Sequence, residues 1–494
     1  MAGETRRVSK GFLYQAAAKA SFVVSGYAVH LGLGRYLGPA AYGTISIILS
    51  VTGILRIFVM DGVRQAVSRF TAVNDAALSS AIRRKALLAQ AAFVTGVTLA
   101  YLALVGPLSR WLGDTTLIPY LRFASLFIPL AGFYVVYISS LNGLREFGRQ
   151  AAIMILYNVV RVVGTLGLVL LGFYIYGAVV GLLLAPLVAL LAGWLVCRSM
   201  EANQSRQQRG ALAFDGPQTT DLIRFGLPML FYAIGSSMLL NLDLFFVKRI
   251  LPSETAPGIY SAGMALSQSL YYMAQVFVEI LFPSVGAISS RSGKEETAAH
   301  IRRWLRLVIL VLFLGAMLLS SSAGEVIALT YSRKYVEVTK PLAWLSWGMC
   351  FYALFIILTN IIAALGKPWG ATILAIGPVP LSVLLNITLI PRFGLAGAAM
   401  ATTGTALVST VVALLWLSTL VGRPLDVLTL VRTAMAVLFS GGVSVLCGPY
   451  VNVFGRWILS VLVYIFALVV LREITHSDWA SLRRLVFAQR PGST

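Results

Sequence analysis

The sequence predicts an all-α, polytopic membrane protein of about fourteen transmembrane helices, and three observations carry that prediction. Uninterrupted apolar runs of helix-spanning length fill most of the 494 residues. Hydrophobic residues make up 58% of the chain and charged ones only 12%, with a mean hydropathy of +0.85, a balance foreign to a soluble domain with one core. The runs also lack the strict alternation of barrel strands over about ten residues, and hydrocarbon tolerates only helices or closed barrels.

In chain order the runs fall at roughly 11–34, 42–61, 86–106, 117–141, 150–172, 175–197, 222–247, 258–283, 304–323, 341–363, 369–390, 395–420, 427–447 and 454–471, each about 20 apolar residues long. The first follows Arg6, Arg7 and Lys10; it is too long for a signal-peptide core and has no small-residue cleavage site behind it, so it is expected to stay in the mature chain. Pro129, Pro186, Pro228, Pro378 and Pro380 interrupt later runs and are expected to kink them, Pro378 and Pro380 above all. The thirteenth and fourteenth read as a lipid-facing addition, and Ser477–Leu485 reads as a capped interfacial helix. Cys197, Cys350 and Cys447 lie inside predicted helices, with neither a disulfide framework nor metal-ligand spacing.

The net charge of +21 is explained by its distribution. About 23 Lys and Arg fall on one side of the expected membrane, among them Arg64, Arg69, Arg83, Arg84 and Lys85, against about 8 on the other and about 8 within runs. That bias puts both termini in the cytoplasm and makes anionic lipid, not nucleic acid, the partner of the basic loops. Connections on the opposite side stay below about 17 residues, too short for an external catalytic domain, so no enzyme is expected.

The chain also repeats itself weakly. Arg35-Tyr36-Leu37-Gly38 with Tyr42 pairs with Arg249-Ile250-Leu251-Pro252 with Tyr260, and Tyr176–Val179 pairs with Leu395–Ala398. The expected organisation is therefore two pseudo-symmetric six-helix lobes, 1–210 and 211–421, followed by 422–494; the stretch Gln204–Gly210 reads as their linker. In transporters built this way, substrate sites lie between the copies near the midplane.

A few charges sit where lipid would reject them. Gln15, Lys19, Gly26 and His30 fall within about 60° of arc on the first helix, and Asn158, Arg161 and Thr165 share a face of the fifth. Lys19 would lie about 12 Å deep and Arg161 about 16 Å, close to the midplane, while Arg56 is shallower at about 8 Å. A cation at such depth costs roughly 2.5–3.5 kcal/mol if it faces lipid, so Lys19, Arg56 and Arg161 are expected to line a solvated cationic cavity for an anion such as phosphate. The alternative for the two deep cations is a structural ion pair with a neighbouring acid. In the second half, Gln268, Tyr272, Gln275 and Glu279 share one face of the eighth helix. Glu279, Asp243 and Asp61 are the candidate coupling or gating acids, Asp243 having interfacial pairing with Lys248 or Arg249 as its alternative. Arg122, Arg224, Arg306, Arg432 and Arg456 lie near helix ends and are expected to anchor at the interface.

The motif Leu37-Gly38-Pro39-Ala40-Ala41-Tyr42-Gly43 resembles a signature of the polysaccharide transport family, the Wzx-like oligosaccharide flippases. So, more loosely, do Arg224-Phe225-Gly226-Leu227-Pro228 with Asn241-Leu242-Asp243, Tyr260-Ser261 with Leu281-Phe282-Pro283-Ser284, and Gly366-Lys367-Pro368 with Asn386 and Ile390–Ala399. The resemblance implies a V-shaped, alternating-access fold of the superfamily that also holds multidrug antiporters and lipid II flippases. It implies an undecaprenyl-diphosphate-linked oligosaccharide as cargo, moved from the cytoplasmic to the outer leaflet of the inner membrane. Basic residues of the first two helices line the family's cavity, which falls on Lys19 and Arg56 here.

On this reading Lys19, Arg56 and Arg161 hold the diphosphate, and Gln15, His30, Asn158, Gln268, Tyr272 and Gln275 supply the polar lining. No cofactor or metal is expected, a proton or sodium ion being the candidate for coupling; the expected partners are the polyprenyl-linked glycan, anionic lipid, and a polysaccharide polymerase or chain-length machinery. A drug antiporter is the alternative on the same fold, but it wants a membrane-embedded acid in the N-terminal lobe. A glycosyltransferase or polymerase would need a sizeable catalytic segment that the short loops do not provide.

Overall fold

The computed structural model describes residues 2–73, 79–204, 219–291, 293–448 and 450–473. The predicted linker beyond Gln204, the tail Ser477–Leu485, and the side chains of Asp61, Arg224 and Pro228 lie outside what is described.

The described chain is helical: α1 (Ala2–Val73), α2 (Ser79–Trp111), α3 (Leu117–Ala124), α4 (Phe127–Gly143), α5 (Phe147–Leu168), α6 (Tyr174–Gln204), α7 (Thr219–Ile250), α8 (Ala256–Ser289), α9 (Lys294–Ser321), α10 (Ala323–Thr330), α11 (Thr339–Ala364), α12 (Pro368–Ile376), α13 (Val379–Val421), α14 (Val427–Cys447) and α15 (Val453–Val470). Eleven stretches among the described residues are long and apolar enough to cross a membrane, making this a multi-pass membrane protein.

Three of those stretches, Leu13–Met60, Phe147–Glu201 and Pro368–Val421, run 48 to 55 residues, and each covers two of the expected apolar runs. The division inside each falls at a glycine with positive φ: Gly38 (74°), Gly172 (92°) and Gly394 (57°). With ψ near 173° at Gly38 and −134° at Gly394, these conformations belong to a residue without Cβ.

The prolines fall in different settings. Pro378 marks the break between α12 and α13, and Pro186 lies in the interior of α6. Pro129 is the third residue of α4, where its missing N–H removes no intrahelical bond.

The chain divides into two compact units: Met1–Ala265, Thr330–Val338 and Ala371–Ala401 form the first, and Leu266–Leu329, Thr339–Gly370 and Thr402–Thr494 the second. In the first unit α4 is apolar all round and buries 13 of its 17 residues, as a central helix must. Tyr134, Tyr137, Ile138 and Leu141 of α4 pack there against Ile153, Ala189 and Cys197. Arg83 was expected among solvated loop cations. It is instead buried in α2, where it donates to Ser140 Oγ at 3.0 Å and pairs with Glu201 of α6, fastening three helices.

The second unit corrects the expectation for three of the anchors. Glu473, 3% exposed, accepts from Arg306 at 2.9 Å, Arg432 at 3.3 Å and Thr429 at 2.8 Å, and Arg456 pairs with Glu325 at 2.5 Å. These arginines sit within reach of acids distant in sequence, so ion pairing, not snorkelling, satisfies them. Together with hydrogen bonds from Trp457 to Ser322 and Tyr464 to the Leu310 carbonyl, the pairs join α14 and α15 to α9 and α10. Leu438, Leu446 and Phe466 remain exposed on the other face.

Candidate functional site

The polar stripe of α1 is pinned to α5 by hydrogen bonds. Gln15 Nε2 donates to Gln150 Oε1 at 2.6 Å. About two and three turns on, buried Asn158 donates to Ser21 Oγ at 2.8 Å and accepts from Ser25 Oγ at 3.3 Å. The amides of Gln15 and Asn158 thus join helices, and they fix the rotational setting of α1 against the helix that carries Arg161.

Two of the three expected cations converge on one aromatic ring. The Arg161 guanidinium carbon lies over the Phe22 ring at 5.6 Å from its centroid, and that of Arg56 at 5.8 Å. Both distances fall inside the range of a cation–π interaction. The turn at Gly38 allows this, since it folds the Arg56 half of α1 back beside the Phe22 half. Lys19 lies one turn before Phe22, is exposed, and interacts electrostatically with Arg64. Arg161 is half-buried and also lines a narrow cleft with Val29, Leu33, Ile45, Ile48 and Thr165, which has room for about one water. Gly26 lies beside it, where an added Cβ would stand in ordinary contact, 3.4 Å from Arg161 Nη2.

His30 lies within electrostatic reach of Arg161, but its hydrogen bond runs to the tyrosines beyond the Gly38 turn. Its Nδ1 lies 2.9 Å from the Tyr42 hydroxyl, which is 3.4 Å from that of Tyr331, and Tyr335 donates to the Gly34 carbonyl at 2.7 Å. Gly258, at the start of α8, closes against the same turn: a Cβ on it would lie 1.9 Å from the Pro39 carbonyl oxygen.

The candidate acids are dispersed. Asp243 is buried in α7, where it accepts from the Tyr260 hydroxyl at 2.6 Å and the Leu244 amide at 2.8 Å. Lys248 makes its ion pair with Asp114, in the turn after α2, at 2.6 Å. For Asp114 burial acts to raise the carboxyl pKa, but hydrogen bonds from Lys248 and Thr116 and the Lys248 charge outweigh it, and the value is lowered. Glu279 is exposed on α8, and Gln268, Tyr272 and Gln275 are half-buried on that helix; these four lie in the second unit.

Phe22 escaped the sequence reading although it falls on the stripe, three residues after Lys19 and four before Gly26. An aromatic on an apolar helix reads as packing, and only the fold brings the two arginines over it. Tyr331 and Tyr335 were missed because they come from a connection nearly 300 residues away from Tyr42.

The profile of the family described as polysaccharide biosynthesis protein matches residues 33–340. Among curated proteins, the probable low-salt glycan biosynthesis flippase Agl15 of Haloferax volcanii is 23% identical over 175 residues, 35% of this chain and 36% of the relative. The chain spans less than half the length of the curated relatives it matches. Among solved structures, the lipid II flippase MurJ in an inward closed conformation matches with a TM-score of 0.73 at 14% identity, covering 95% of this chain and all of that one. An inward-facing multidrug resistance MATE transporter matches with a TM-score of 0.64 at 16% identity, covering 83% and 98%. At these identities the likeness is one of fold.

Proposed function

This chain belongs to the polysaccharide biosynthesis protein family, and from that premise we propose that it is a transporter that flips a lipid-linked oligosaccharide across the membrane. The cargo in this reading is undecaprenyl-diphosphate-linked, moved from the cytoplasmic to the outer leaflet of the inner membrane by alternating access.

The observation that carries it is the convergence of Arg56 and Arg161 on Phe22, with Lys19 one turn earlier. Cations at membrane depth are expensive and are kept where an anion visits them. Guanidinium groups suit a diphosphate because their planar donor forks match its oxygens. A drug antiporter working on neutral or cationic compounds would gain nothing from this cluster.

The reading extends to finer features. Each double-length helix broken at Gly38, Gly172 or Gly394 counts as two crossings, giving fourteen with both termini cytoplasmic. The lobes run 1–210 and 211–421, with 422–494 appended. Gln268, Tyr272 and Gln275 on α8 are assigned to sugar hydroxyls, and Asp243 and Glu279 to coupling with a proton or sodium gradient. The experiment is genetic: replacing Arg161 with Ala should stop glycan export and accumulate the lipid-linked intermediate while the protein still reaches the membrane.

A further inference from the structure

We propose that Phe22 is a positioning residue for the anion: its ring holds the Arg56 and Arg161 guanidinium groups in the orientation that selects a diphosphate. The inference rests on the reading above, that the cationic cluster receives a diphosphate.

Two guanidinium groups brought toward one point repel each other, and the membrane interior amplifies that repulsion. A ring whose faces carry negative quadrupole density attracts each cation in turn, so the 5.6 Å and 5.8 Å approaches offset the repulsion where it arises. Stacking on a ring also uses the flat face of a guanidinium, whereas phosphate oxygens are bound by its N–H edge. The ring can therefore orient both groups without competing with the anion for their donors.

The surroundings hold Phe22 in register for this task. Ser25 Oγ donates to the Phe22 carbonyl at 2.9 Å and to Asn158 Oδ1 at 3.3 Å, while Asn158 Nδ2 donates to Ser21. Asn158 precedes Arg161 by three residues on α5, so the residues flanking Phe22 are tied to the helix turn that carries one of its two arginines. An aliphatic side chain at position 22 would fill the space and keep the helices together, but it would orient neither guanidinium.

The test uses the full chain in nanodiscs of neutral lipid and measures binding of undecaprenyl diphosphate and undecaprenyl monophosphate. Phe22→Leu is expected to weaken diphosphate binding about tenfold and monophosphate binding by about twofold at most, with Phe22→Tyr within about twofold of wild type for both. Phe22→Met serves as a second non-aromatic variant should Phe22→Leu fold poorly. A purely structural role would move both ligands equally, so an unchanged diphosphate-to-monophosphate ratio in Phe22→Leu or Phe22→Met overturns the proposal, as does loss of that selectivity in Phe22→Tyr. Wild type and Arg56→Ala/Arg161→Ala binding the diphosphate equally would refute the diphosphate reading itself, an outcome distinct from failure at Phe22 alone.

Discussion

Lys248 Nζ meets Asp114 Oδ2 at 2.6 Å, joining the last turn of α7 to the short connection between α2 and α3. Trp111 and Phe246 pack edge to face beside it, with ring centroids 5.7 Å apart. The pair is partly shielded, with side chains 13% and 19% exposed, so it behaves as more than a solvated surface contact.

Asp114 makes that contact pH-dependent. Its carboxyl pKa is lowered on folding, so the pair stabilises fully above the ordinary carboxylate value near 3.8 and is lost as pH falls through the lowered one. Asp114→Asn should cost about 1 kcal/mol at pH 7. Thermal melting of the detergent-solubilised proteins should show a gap between wild type and variant that is constant from pH 8 to about 5 and narrows below about 4. A gap that widens in acid would contradict the assignment.

The turn glycines should resist substitution for a reason local to the backbone. Gly38, at φ 74° and ψ 173°, holds a conformation that a Cβ disfavours by about 1–3 kcal/mol, although no atom blocks the space beside it. Gly38→Ala should therefore lower the melting temperature. Gly53→Ala is the control, because a Cβ there also meets open space and the backbone is ordinary helix. It should leave stability unchanged or raise it. Equal effects at the two positions would exclude backbone conformation as the cause.

Glu473 holds Arg306 and Arg432 together in the second unit. Removing the carboxylate leaves two partly buried cations facing each other, so Glu473→Ala should destabilise by about 3 kcal/mol. Replacing all three with apolar residues should recover most of that loss. A triple variant as unstable as Glu473→Ala would mean that the glutamate acts through something other than these charges.

These relationships show what could be read from the sequence and what could not. The apolar runs place the helices, because composition alone decides which segments prefer hydrocarbon. The gaps between apolar runs at 34–42 and 390–395 bracket Gly38 and Gly394, where the chain turns inside α1 and α13; proline marked the break at Pro378, but nothing in the sequence singled out the positive-φ glycines. Lys19, Arg56 and Arg161 stand out in sequence because a charge in an apolar run is conspicuous. Phe22 does not, because a ring looks the same whether it packs against leucine or carries two guanidinium groups. Glu473 sits 167 residues from Arg306 and 41 from Arg432, so no periodicity could have matched them.

Charge and geometry at Arg161 can be separated by a conservative change. Arg161→Lys keeps the cation but loses the planar guanidinium that lies 5.6 Å from the Phe22 centroid, with its two-pronged donor edge. Glycan export should fall to an intermediate level, above that of Arg161→Ala and below wild type, with equal amounts of protein in the membrane. Full export by Arg161→Lys would show that only the charge matters.

The most direct measurement is the transmembrane distribution of the lipid-linked glycan in cells carrying Lys19→Ala/Arg161→Ala, with the protein at its normal level in the membrane. A diphosphate held by the cationic cluster predicts that the glycan stays on the cytoplasmic leaflet and none is exported. Export by the double variant at the wild-type rate would contradict it.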